Sequence, residues 1–579
     1  MTTSEAGGPA FSELRQARSD GLFGWVALFS LFVNLLMLTG PLYMMSVYDR
    51  VLGSRSVETL VALSALVLFL FACMGVLDLV RGRVMGRAAA RLQARLDRRV
   101  FAACLRAPPR LAREAQTGAR DLEAVQRAWG SPALLAVFDL PFAPLFLAGL
   151  WLFHPWMGTL GLGGGGLLVG LALLNQRAAR GPLEAAARDA VAAEHTGAQI
   201  RAEAETVHAL GMREASVARW QAARGRGLAA AVAAQDAGGA FAALIRTVRL
   251  VLQSAMLGLG AYLVLRGQMT AGAMIAGSIL LGRALAPVET IVGQWAVLER
   301  GRAGWRSLAR LLAEVPPEAR RTALPRPQGR LALEQVTVVP PGEREATLRM
   351  VSFAVEPGEA VGVIGASGSG KTTLARAITG AWPAAGGRIR LDGAALDQYD
   401  PDVLGGCVGY LPQRVALFEG TVTDNIARLD PRPDDAAVVR AARMAGAHDM
   451  ILRLPEGYDT RVAAGGGRLS GGQVQRIGLA RALYGDPVVV VLDEPNSNLD
   501  HDGSVALNAA IRALKAQGAA VLIMAHRPAA IQECDLLLHL EGGLRRAFGP
   551  KGEVLRGTVA NLREVQTAGA PGGQTGGVT

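Results

Sequence analysis

The sequence predicts a multi-domain protein, an all-α domain with six membrane-spanning helices followed by an α/β domain built around a phosphate-binding loop. Three observations predict this fold. Six long apolar runs lie before residue 311, charged residues make up only 19% of the chain, and short β-rich runs alternate with helical runs after residue 330. Soluble domains carry about 25% charged residues, so the deficit indicates segments embedded in lipid.

The membrane domain is predicted from runs of at least about 20 apolar residues, the length that crosses a bilayer as a helix. The last two of these runs are less typical of membrane spans, because Arg246, Arg249 and Arg283 lie within or near them. The six runs are Leu22–Val47, Val57–Val80, Pro132–Phe153, Trp156–Asn175, Ala240–Leu265 and Ala271–Trp295.

The connections between the runs predict the orientation in the membrane. The two long connections are basic, with twelve Arg in Arg81–Gly130 and eight in Gln176–Asp236. By the positive-inside rule both are cytoplasmic, and so are the N-terminus and everything after the sixth run. We expect these connections to be helices that extend into the cytoplasm, bend near Pro108 and Gly211, and contact the C-terminal domain.

Two polar residues lie inside the predicted spans. Asp139 is only about 12 Å from the cytoplasmic side at 1.5 Å per residue. A structural pairing, with Arg246 or Arg249, is therefore at least as well supported as a contact with a substrate. Asn34 in the first span is expected to form a hydrogen bond between helices.

Composition excludes several other classes of protein. The formal charge is +11, but the Arg residues lie between apolar runs and form no patch interleaved with aromatics, so no nucleic-acid binding is expected. The cysteines Cys73, Cys104, Cys407 and Cys534 form no C-x-x-C pair, so neither a zinc site nor a disulfide framework is expected.

Changes in composition predict where the domains begin and end. A Pro-, Arg- and Glu-rich stretch separates the two domains, and the last residues are Gly-rich, which is typical of disorder. The predicted ranges are a tail at 1–20, the membrane domain at 21–311, a linker at 312–330, the α/β domain at 331–556 and a C-terminal tail at 557–579.

A phosphate-binding loop is predicted at Gly365-Ala-Ser-Gly-Ser-Gly-Lys-Thr372 because it follows an apolar strand, Ala360–Ile364, and opens a helix. Backbone N–H groups in such a loop face one anion, and the helix N-terminus adds positive potential. Lys371 is placed to reach the β- and γ-phosphates and Thr372 to bind Mg²⁺.

Asp493 and Glu494 follow Val488–Leu492, a continuous apolar run typical of a central parallel strand. Ligands bind at the carboxyl ends of such strands. Located about 120 residues after the phosphate loop, Asp493 is expected to hold Mg²⁺ through water, and Glu494 to act as general base toward the attacking water.

Leu469-Ser-Gly-Gly-Gln473 lies between the phosphate loop and this acidic pair. In that order it resembles the signature of ATP-binding cassette (ABC) proteins, and the chain is similar to ABC half-exporters over nearly its whole length. The other elements of the cassette are found as Gln413 in Tyr410-Leu-Pro-Gln, Asp500 in Ser497-Asn-Leu-Asp, and His526 after an apolar strand.

The resemblance implies that two chains sandwich two ATP molecules with Mg²⁺, so that a homodimer is needed. It implies catalytic roles for Glu494, His526 and Gln413, and metal binding by Thr372, Gln413 and Asp493. The residues implied to bind the nucleotide are Gly365, Ser367, Gly368, Ser369, Gly370, Lys371, Thr372, Thr373, Ser470, Gly471, Gly472, Gln473 and Asp500.

Short motifs narrow the resemblance. Tyr48-Asp-Arg-Val-Leu52, Ser54–Leu60, Phe138-Asp-Leu-Pro141 and Ala525-His-Arg-Pro528 look like those of type I protein-secretion ATPases, especially exporters of RTX-type proteases and lipases. This implies a bacterial inner-membrane protein, surrounded by lipid, that exports an unfolded protein. It also implies a membrane fusion protein and an outer-membrane channel as partners.

Two other functions stay open at this point, an exporter of lipid or small molecules and a non-transporting membrane ATPase that scaffolds a complex. The intact Glu494 and His526 argue against the scaffold. Many relatives carry an additional N-terminal peptidase or peptidase-like domain. Because only about twenty residues precede the first run, leader cleavage by this chain is not expected.

One departure from the cassette pattern concerns adenine. Such cassettes usually stack an aromatic side chain on the base about 25 residues before the phosphate loop. Here that stretch is Val336-Thr-Val-Val-Pro-Pro341 and has no aromatic residue. The sequence therefore does not identify what packs on adenine, whereas the phosphate chemistry is unaffected.

Overall fold

The computed structural model describes residues 21–318, 321–463, 469–497, 499–525 and 528–557. The chain divides into two units, a helical unit that ends at Pro317 and an α/β unit that begins at Glu318. Both expected fold types are confirmed.

The helical unit contains helices α1 to α12, joined by a π-helical turn at Val47–Val51 and 3₁₀ turns at Pro109–Leu111 and Leu140–Phe142. The helices are α1 Leu22–Leu36, α2 Thr39–Ser46, α3 Leu52–Ser54, α4 Val57–Arg106, α5 Ala112–Trp129, α6 Pro132–Asp139, α7 Ala143–Phe153, α8 Pro155–Ala202, α9 Ala204–Ala209, α10 Arg213–Leu265, α11 Ala271–Gly293 and α12 Trp295–Glu314.

Within the described residues, six helical segments are long and apolar enough to cross a membrane, which confirms the expected number. Large apolar side chains cover their outer surface, with Leu68 73% and Leu152 86% exposed, as suits helices in contact with lipid. The segments are Leu22–Ser54, Val57–Arg106, Pro132–Phe153, Pro155–Ala202, Arg213–Leu265 and Ala271–Gly293.

Three of these segments are much longer than is needed to cross a bilayer, as expected from the composition of the long connections. Helices α4, α8 and α10 have 50, 48 and 53 residues, which corresponds to lengths of about 70 to 80 Å at 1.5 Å per residue. The expected bends are confirmed as well. Helix α4 ends at Arg106, before Pro108 and Pro109, and Gly211 has a φ of 65° between α9 and α10.

Helices α5 and α12 pack closely because glycines face the contact. A Cβ atom on Gly304 would lie 2.7 Å from the carbonyl oxygen of Asp121, so a larger residue there would push the helices apart. The end of α12 is fixed by Arg99 of α4, whose guanidinium donates to the carbonyl oxygen of Val315 at 2.6 Å. The helical unit therefore ends in a firmly packed segment.

Asp139, whose side chain is 13% exposed, has a different partner from the one expected. Its Oδ1 accepts hydrogen bonds from Arg81 at 2.6 Å and from the side-chain amide of Asn34 at 2.8 Å. Arg81 is 6% exposed and also donates to Ser30 at 3.1 Å and to Asp78 at 2.6 Å. We call these five side chains the Arg81 cluster. The role of Asn34 as a link between helices is confirmed.

The expected pairing of Asp139 with Arg246 or Arg249 is therefore wrong. Arg249 forms an ion pair with Glu289 of α11 at 2.9 Å. The physical reason is helix packing, since α1, α4 and α6 meet around Asp139, whereas α10 packs on α8 and α11.

The α/β unit contains strands β1 to β12 in two main sheets. One sheet has the order β2-β1-β4-β5, the other has the order β12-β11-β3-β10-β9-β6, and β7 pairs with β8. The strands are β1 Leu331–Val338, β2 Leu348–Val355, β3 Ala360–Ile364, β4 Gly386–Leu391, β5 Ala394–Ala395, β6 Val408–Leu411, β7 Gly420–Thr421, β8 Arg461–Val462, β9 Val489–Asp493, β10 Ala520–Met524, β11 Leu536–Glu541 and β12 Leu544–Pro550.

Helices α13 to α19 connect these strands. Those of at least seven residues are α13 Lys371–Ile378, α14 Pro401–Cys407, α16 Asp435–Met444, α18 Gly471–Leu483 and α19 His501–Ala516, and the short helices are α15 Val422–Ile426 and α17 His448–Leu452.

The position of the candidate site follows from the larger sheet. Strand β10 pairs in parallel with β3 on one side and with β9 on the other. Every residue of β9 and β10 is buried, as the continuous apolar runs predict. Because parallel strands end at the same edge, the loop after β3 and the acidic residues at the end of β9 lie at one edge of the sheet.

Candidate functional site

The predicted phosphate loop joins β3 to the N-terminus of α13. Gly365, Gly368 and Gly370 have φ values of 155°, 79° and 99°, which larger residues rarely adopt. A Cβ atom on Gly370 would also lie 2.7 Å from a methyl carbon of Leu348. The loop therefore favours glycine at these positions, and successive backbone N–H groups in such a loop are of the kind that can form an anion-binding concavity.

Lys371 begins α13 and is only 6% exposed. Its Nζ donates to the carbonyl oxygens of Gly365 and Ala366, both at 2.9 Å. Burial lowers the pKa of this ammonium group, while the nearby carboxylates of Glu494 and Asp493 act in the opposite direction. A cation is thus held at the loop by backbone oxygens.

Asp493 is the last residue of β9 and is 1% exposed. Burial raises the pKa of its carboxyl, a hydrogen bond with the Thr372 side chain opposes that shift, and the charge of Glu494 reinforces it. Its Oδ2 atom has no hydrogen-bond partner among the described residues, and neither has the buried hydroxyl of Ser369 in the loop. Two buried polar atoms at one edge of the sheet are thus available to a ligand.

Glu494 follows directly and lies beside Gln413. The Gln413 amide donates to Glu494 Oε2 at 3.1 Å, and the Glu494 backbone N–H donates to the Met524 carbonyl at 3.0 Å. Glu494 has a φ of 49°, an unusual value for a non-glycine residue that is concentrated at functional sites. Sequence separation between Gln413 and Glu494 is 81 residues, so the fold brings together two residues that were predicted separately.

The Ser470-Gly471-Gly472 segment forms the N-terminus of α18. Ser470 accepts a hydrogen bond from the Gln473 backbone at 3.3 Å, and the Gln473 side chain accepts one from the Ser470 backbone at 2.8 Å. This reciprocal arrangement is a capping box, which fixes where the helix begins. Among the described residues these two therefore bond to each other rather than to the phosphate loop, and Ser470 and Gly471 stay exposed.

Asp500 caps α19 and has a partner that the sequence did not reveal. It accepts from the Gly503 backbone at 2.8 Å and from Arg476 of α18 at 2.7 Å. The backbone hydrogen bond and the Arg476 guanidinium lower the pKa of the Asp500 carboxyl. The feature of the sequence that could have indicated this partner is Arg476, a basic residue about one helical turn after Gln473.

Two parts of the predicted site remain, namely His526 and the stretch where an aromatic residue would pack on adenine. His526 lies outside the described residues, as does Asn498. In the stretch without an aromatic residue, Val336 and Val338 are fully buried in β1, and Pro340 is buried just after it. The described side chains of this stretch are therefore aliphatic apart from Thr337, whose hydroxyl accepts a hydrogen bond from the Met350 backbone at 3.1 Å.

Family models match both units. A model described as "ABC transporter transmembrane region" matches residues 23–285, and one described as "ABC transporter" matches residues 348–497. The type I secretion system ATP-binding protein PrsD of Rhizobium meliloti is 44% identical over 560 residues, which cover 96% of both chains. The chain belongs to the type I secretion branch of the ABC transporters.

Other relatives of this ABC transporter have related names. The cyclolysin secretion/processing ATP-binding protein CyaB of Bordetella pertussis is 31% identical over 95% of this chain and 78% of its own length. The toxin RTX-I translocation ATP-binding protein of Actinobacillus pleuropneumoniae is 29% identical over 89% of this chain and 73% of its own length. ABC transporter ATP-binding proteins are ATPases coupled to transport, which confirms the predicted activity class.

The fold of the ABC transporter also matches a solved structure along almost its whole length. A bacterial Atm1-family ABC exporter with ATP bound superposes with a TM-score of 0.80 over 96% of this chain and 99% of the other. At 22% identity this likeness establishes the fold alone. It confirms the predicted order of a six-helix membrane domain and an α/β P-loop domain.

Proposed function

We propose that this chain is the ATP-driven inner-membrane exporter of a type I secretion system, and that it moves an unfolded protein out of the cytoplasm. The observation that carries the proposal is the 44% identity to a type I secretion ATP-binding protein across both units. The assembled Lys371, Asp493, Glu494 and Gln413 side chains support ATP hydrolysis as the energy source.

The residues at the edge of the sheet fit ATP and Mg²⁺. Backbone N–H groups of the loop from Gly365 to Gly370 and the cation of Lys371 suit phosphate oxygens, with Ser367, Ser369 and Thr373 alongside. Thr372, Gln413 and the unpartnered oxygen of Asp493 suit Mg²⁺, which prefers oxygen ligands. When bound, Mg²⁺ would neutralise part of the negative charge on the phosphates.

The protein's own chemistry is proton transfer and orientation. Glu494 accepts the proton of the attacking water as general base, and Gln413 holds the Glu494 carboxylate by the 3.1 Å hydrogen bond. The proposed role of His526 is to contact the γ-phosphate. Lys371 orients the phosphates through its fixed position at the start of α13.

We also propose a homodimer in which each ATP lies between the phosphate loop of one copy and the segment from Ser470 to Gln473 of the other. The exposure of Ser470 and Gly471 at a capped helix N-terminus supports this, because such an end attracts anions. Asp500, tied to Arg476, would hold α18 and α19 together at that interface.

By its relatives, the proposed partners are a membrane fusion protein, an outer-membrane channel and the secreted protein. The N-terminus and the α/β unit would be cytoplasmic, since the basic extensions of α4, α8 and α10 favour that side. The proposed domain bounds are those predicted from composition, with the linker at 312–330.

The test compares what the source bacterium secretes with and without hydrolysis. A chromosomal Glu494→Gln substitution should remove one or more proteins from the culture medium, measured by quantitative mass spectrometry. Membrane lipid composition is measured in the same cells. A changed lipid composition with an unchanged set of secreted proteins would contradict protein export and favour a lipid exporter.

A further inference from the structure

A cavity of about 790 Å³ lies in the helical unit between α8, α10 and the junction of α11 with α12. Its volume is in the range of binding clefts for ligands of several hundred daltons. Asn175 lies about 20 residues after the external end of α8, which places the cavity where that helix leaves the bilayer. The cavity is therefore at the proposed cytoplasmic entrance of the membrane domain.

Small residues form most of the walls. These include Ala186 and Ala190 on α8 and Ala231 and Gly238 on α10, while the larger aliphatic lining residues are Leu183, Leu228 and Val292. Walls of this kind have no shape that selects one particular side chain. They are suited to a ligand whose side groups vary, provided that something else on the walls binds its common part.

Two buried polar atoms supply that binding. Asn175 is 2% exposed, lines the cavity, and its Oδ1 has no hydrogen-bond partner among the described residues. The indole Nε1 of Trp295, which also lines the cavity, is buried and likewise has no hydrogen-bond partner among the described residues. Leaving a buried donor or acceptor without a partner is unfavourable. One atom accepts and the other donates, so the complementary ligand carries both an N–H and a carbonyl oxygen.

The charged residues of the cavity have one sign. Arg224 and Arg300 line it, and no Asp or Glu is among its lining residues in the described chain. Arg300 also borders a neighbouring cavity that contains Asp121, Glu114, Glu184 and Glu299. Asp121 accepts a hydrogen bond from the Thr117 hydroxyl at 2.8 Å. The three glutamates are paired with Arg310 at 3.1 Å, Arg180 at 3.1 Å and Arg306 at 3.3 Å respectively. The charge of the cavity is therefore positive.

We propose that this cavity binds an acidic stretch of extended polypeptide. The main chain bonds to Asn175 Oδ1 through an N–H and to Trp295 Nε1 through a carbonyl, while a side-chain carboxylate pairs with Arg224 or Arg300. The inference rests on the proposed function and adds the class of segment that is recognised. A phosphodiester lipid head group fits less well, since the diester itself has no donor for Asn175 Oδ1.

The test uses the full-length chain in phosphatidylcholine nanodiscs and three fluorescent peptides of equal length with a Gly/Ser background. The peptides carry Asp, Asn or Lys at the same positions, and binding is measured by fluorescence anisotropy. The Asp peptide should bind about tenfold more tightly than the Asn peptide, because one charge-assisted contact contributes roughly 1.4 kcal/mol. Equal affinities for the three peptides would overturn the proposal.

Matched double variants locate the charge effect. Arg224→Gln with Arg300→Gln should bring the affinity for the Asp peptide to that for the Asn peptide. Arg226→Gln with Arg302→Gln removes two exposed arginines of α10 and α12 that do not line the cavity, and should leave peptide affinity and basal ATPase activity unchanged. An equal loss in both double variants would overturn the proposal, because only general surface charge would then matter.

Substitutions at Asn175 separate the main-chain contact from the charge. Asn175→Leu should weaken all three peptides by a similar factor, about threefold to tenfold, and keep their order. Asn175→Asp keeps the acceptor and adds a negative charge, so it should weaken the Asp peptide and strengthen the Lys peptide. Misfolding cannot produce that reversal, and unchanged affinities in both variants would contradict the role of Asn175.

Other occupants give different results. If phosphatidylglycerol in the nanodiscs displaced the Asp peptide from the unmodified chain only, and not from the Arg224→Gln, Arg300→Gln variant, lipid would be the ligand and the proposal would fall. If that variant dissociated the assembly, measured by its mass in detergent, the cavity would be a subunit contact. The secretion test with Glu494→Gln is independent, because loss of secreted proteins there supports export whatever the peptides show.

Discussion

The Arg81 cluster in the helical unit and the predicted nucleotide site in the α/β unit both contain buried polar atoms, yet they differ in completeness. In the Arg81 cluster, Asp139 Oδ1 accepts two hydrogen bonds, and Arg81 donates to three side chains. In the α/β unit, Ser369 Oγ and Asp493 Oδ2 have no partner among the described residues. A satisfied cluster holds helices together, whereas unpartnered buried atoms indicate where a ligand binds.

This contrast changes the interpretation of the intramembrane acid. Viewed in the sequence, Asp139 was a candidate for substrate contact as well as for pairing. Its carboxylate is engaged by Arg81 and Asn34, so its chemistry is directed to other helices. The cavity near Asn175 resembles the phosphate loop in this respect, since it too contains buried unpartnered atoms.

The largest expected effect concerns the predicted nucleotide site of the α/β unit. Glu494→Gln should reduce steady-state ATP hydrolysis by about 10²- to 10⁴-fold because the attacking water loses its general base. ATP affinity should be retained, since the proposed phosphate site is the loop around Lys371. Turnover and nucleotide binding are measured on the purified protein, and wild-type turnover would remove Glu494 from the catalytic role.

The second effect concerns the stability of the helical unit, which contains the Arg81 cluster. Asp139→Asn leaves the buried Arg81 with less compensation and should destabilise the helical unit by about 3 kcal/mol, measured by thermal or denaturant unfolding in detergent. The matched control is Asp78→Asn, because Asp78 also pairs with Arg81 but its side chain is 57% exposed. The control should cost no more than about 1 kcal/mol, and an equal cost for both would contradict the importance of burial.

A smaller effect is expected at the phosphate loop. Lys371→Ala removes the cation held by two backbone carbonyls and should weaken ATP binding at least about tenfold, or 1.4 kcal/mol. Binding is measured with a fluorescent ATP analogue in the presence of Mg²⁺. An unchanged affinity would mean that the phosphates lie elsewhere.

The smallest effect sharpens the comparison most. Replacing the whole buried pair by Arg81→Met with Asp139→Leu should leave the free energy of unfolding within about 1 kcal/mol of the wild type, since apolar residues of similar size often substitute for buried ion pairs. Transport by this double variant is measured alongside. Normal stability with abolished transport would show that the Arg81 cluster takes part in transport and is not only structural.

Local sequence was enough to predict what local chemistry determines. The glycines and Lys371 of the phosphate loop, the acidic pair at the end of β9 and the long helices α4, α8 and α10 all follow from patterns within a few tens of residues. The breaks at Pro108 and Gly211 were predictable for the same reason, because proline and a left-handed glycine interrupt a helix wherever they occur.

Partners that depend on packing were not predictable. Asp139 lies 58 residues from Arg81, and Asp500 lies 24 residues from Arg476. Nothing in the spacing selects Arg81 from the many arginines of this chain, since the choice depends on how α1, α4 and α6 cross. The unpartnered atoms of Asn175 and Trp295 became visible only once the surrounding helices were in place.

The length of α10 has a mechanical consequence. Its 53 residues form one helix from Arg213 to Leu265, about 80 Å long at 1.5 Å per residue. If such a rod pivots by about 5° at one end, its other end moves by about 7 Å, more than the 5.4 Å pitch of a helical turn. Adjustments too small to disturb packing inside the bilayer thus become displacements large enough to change which residues meet outside it.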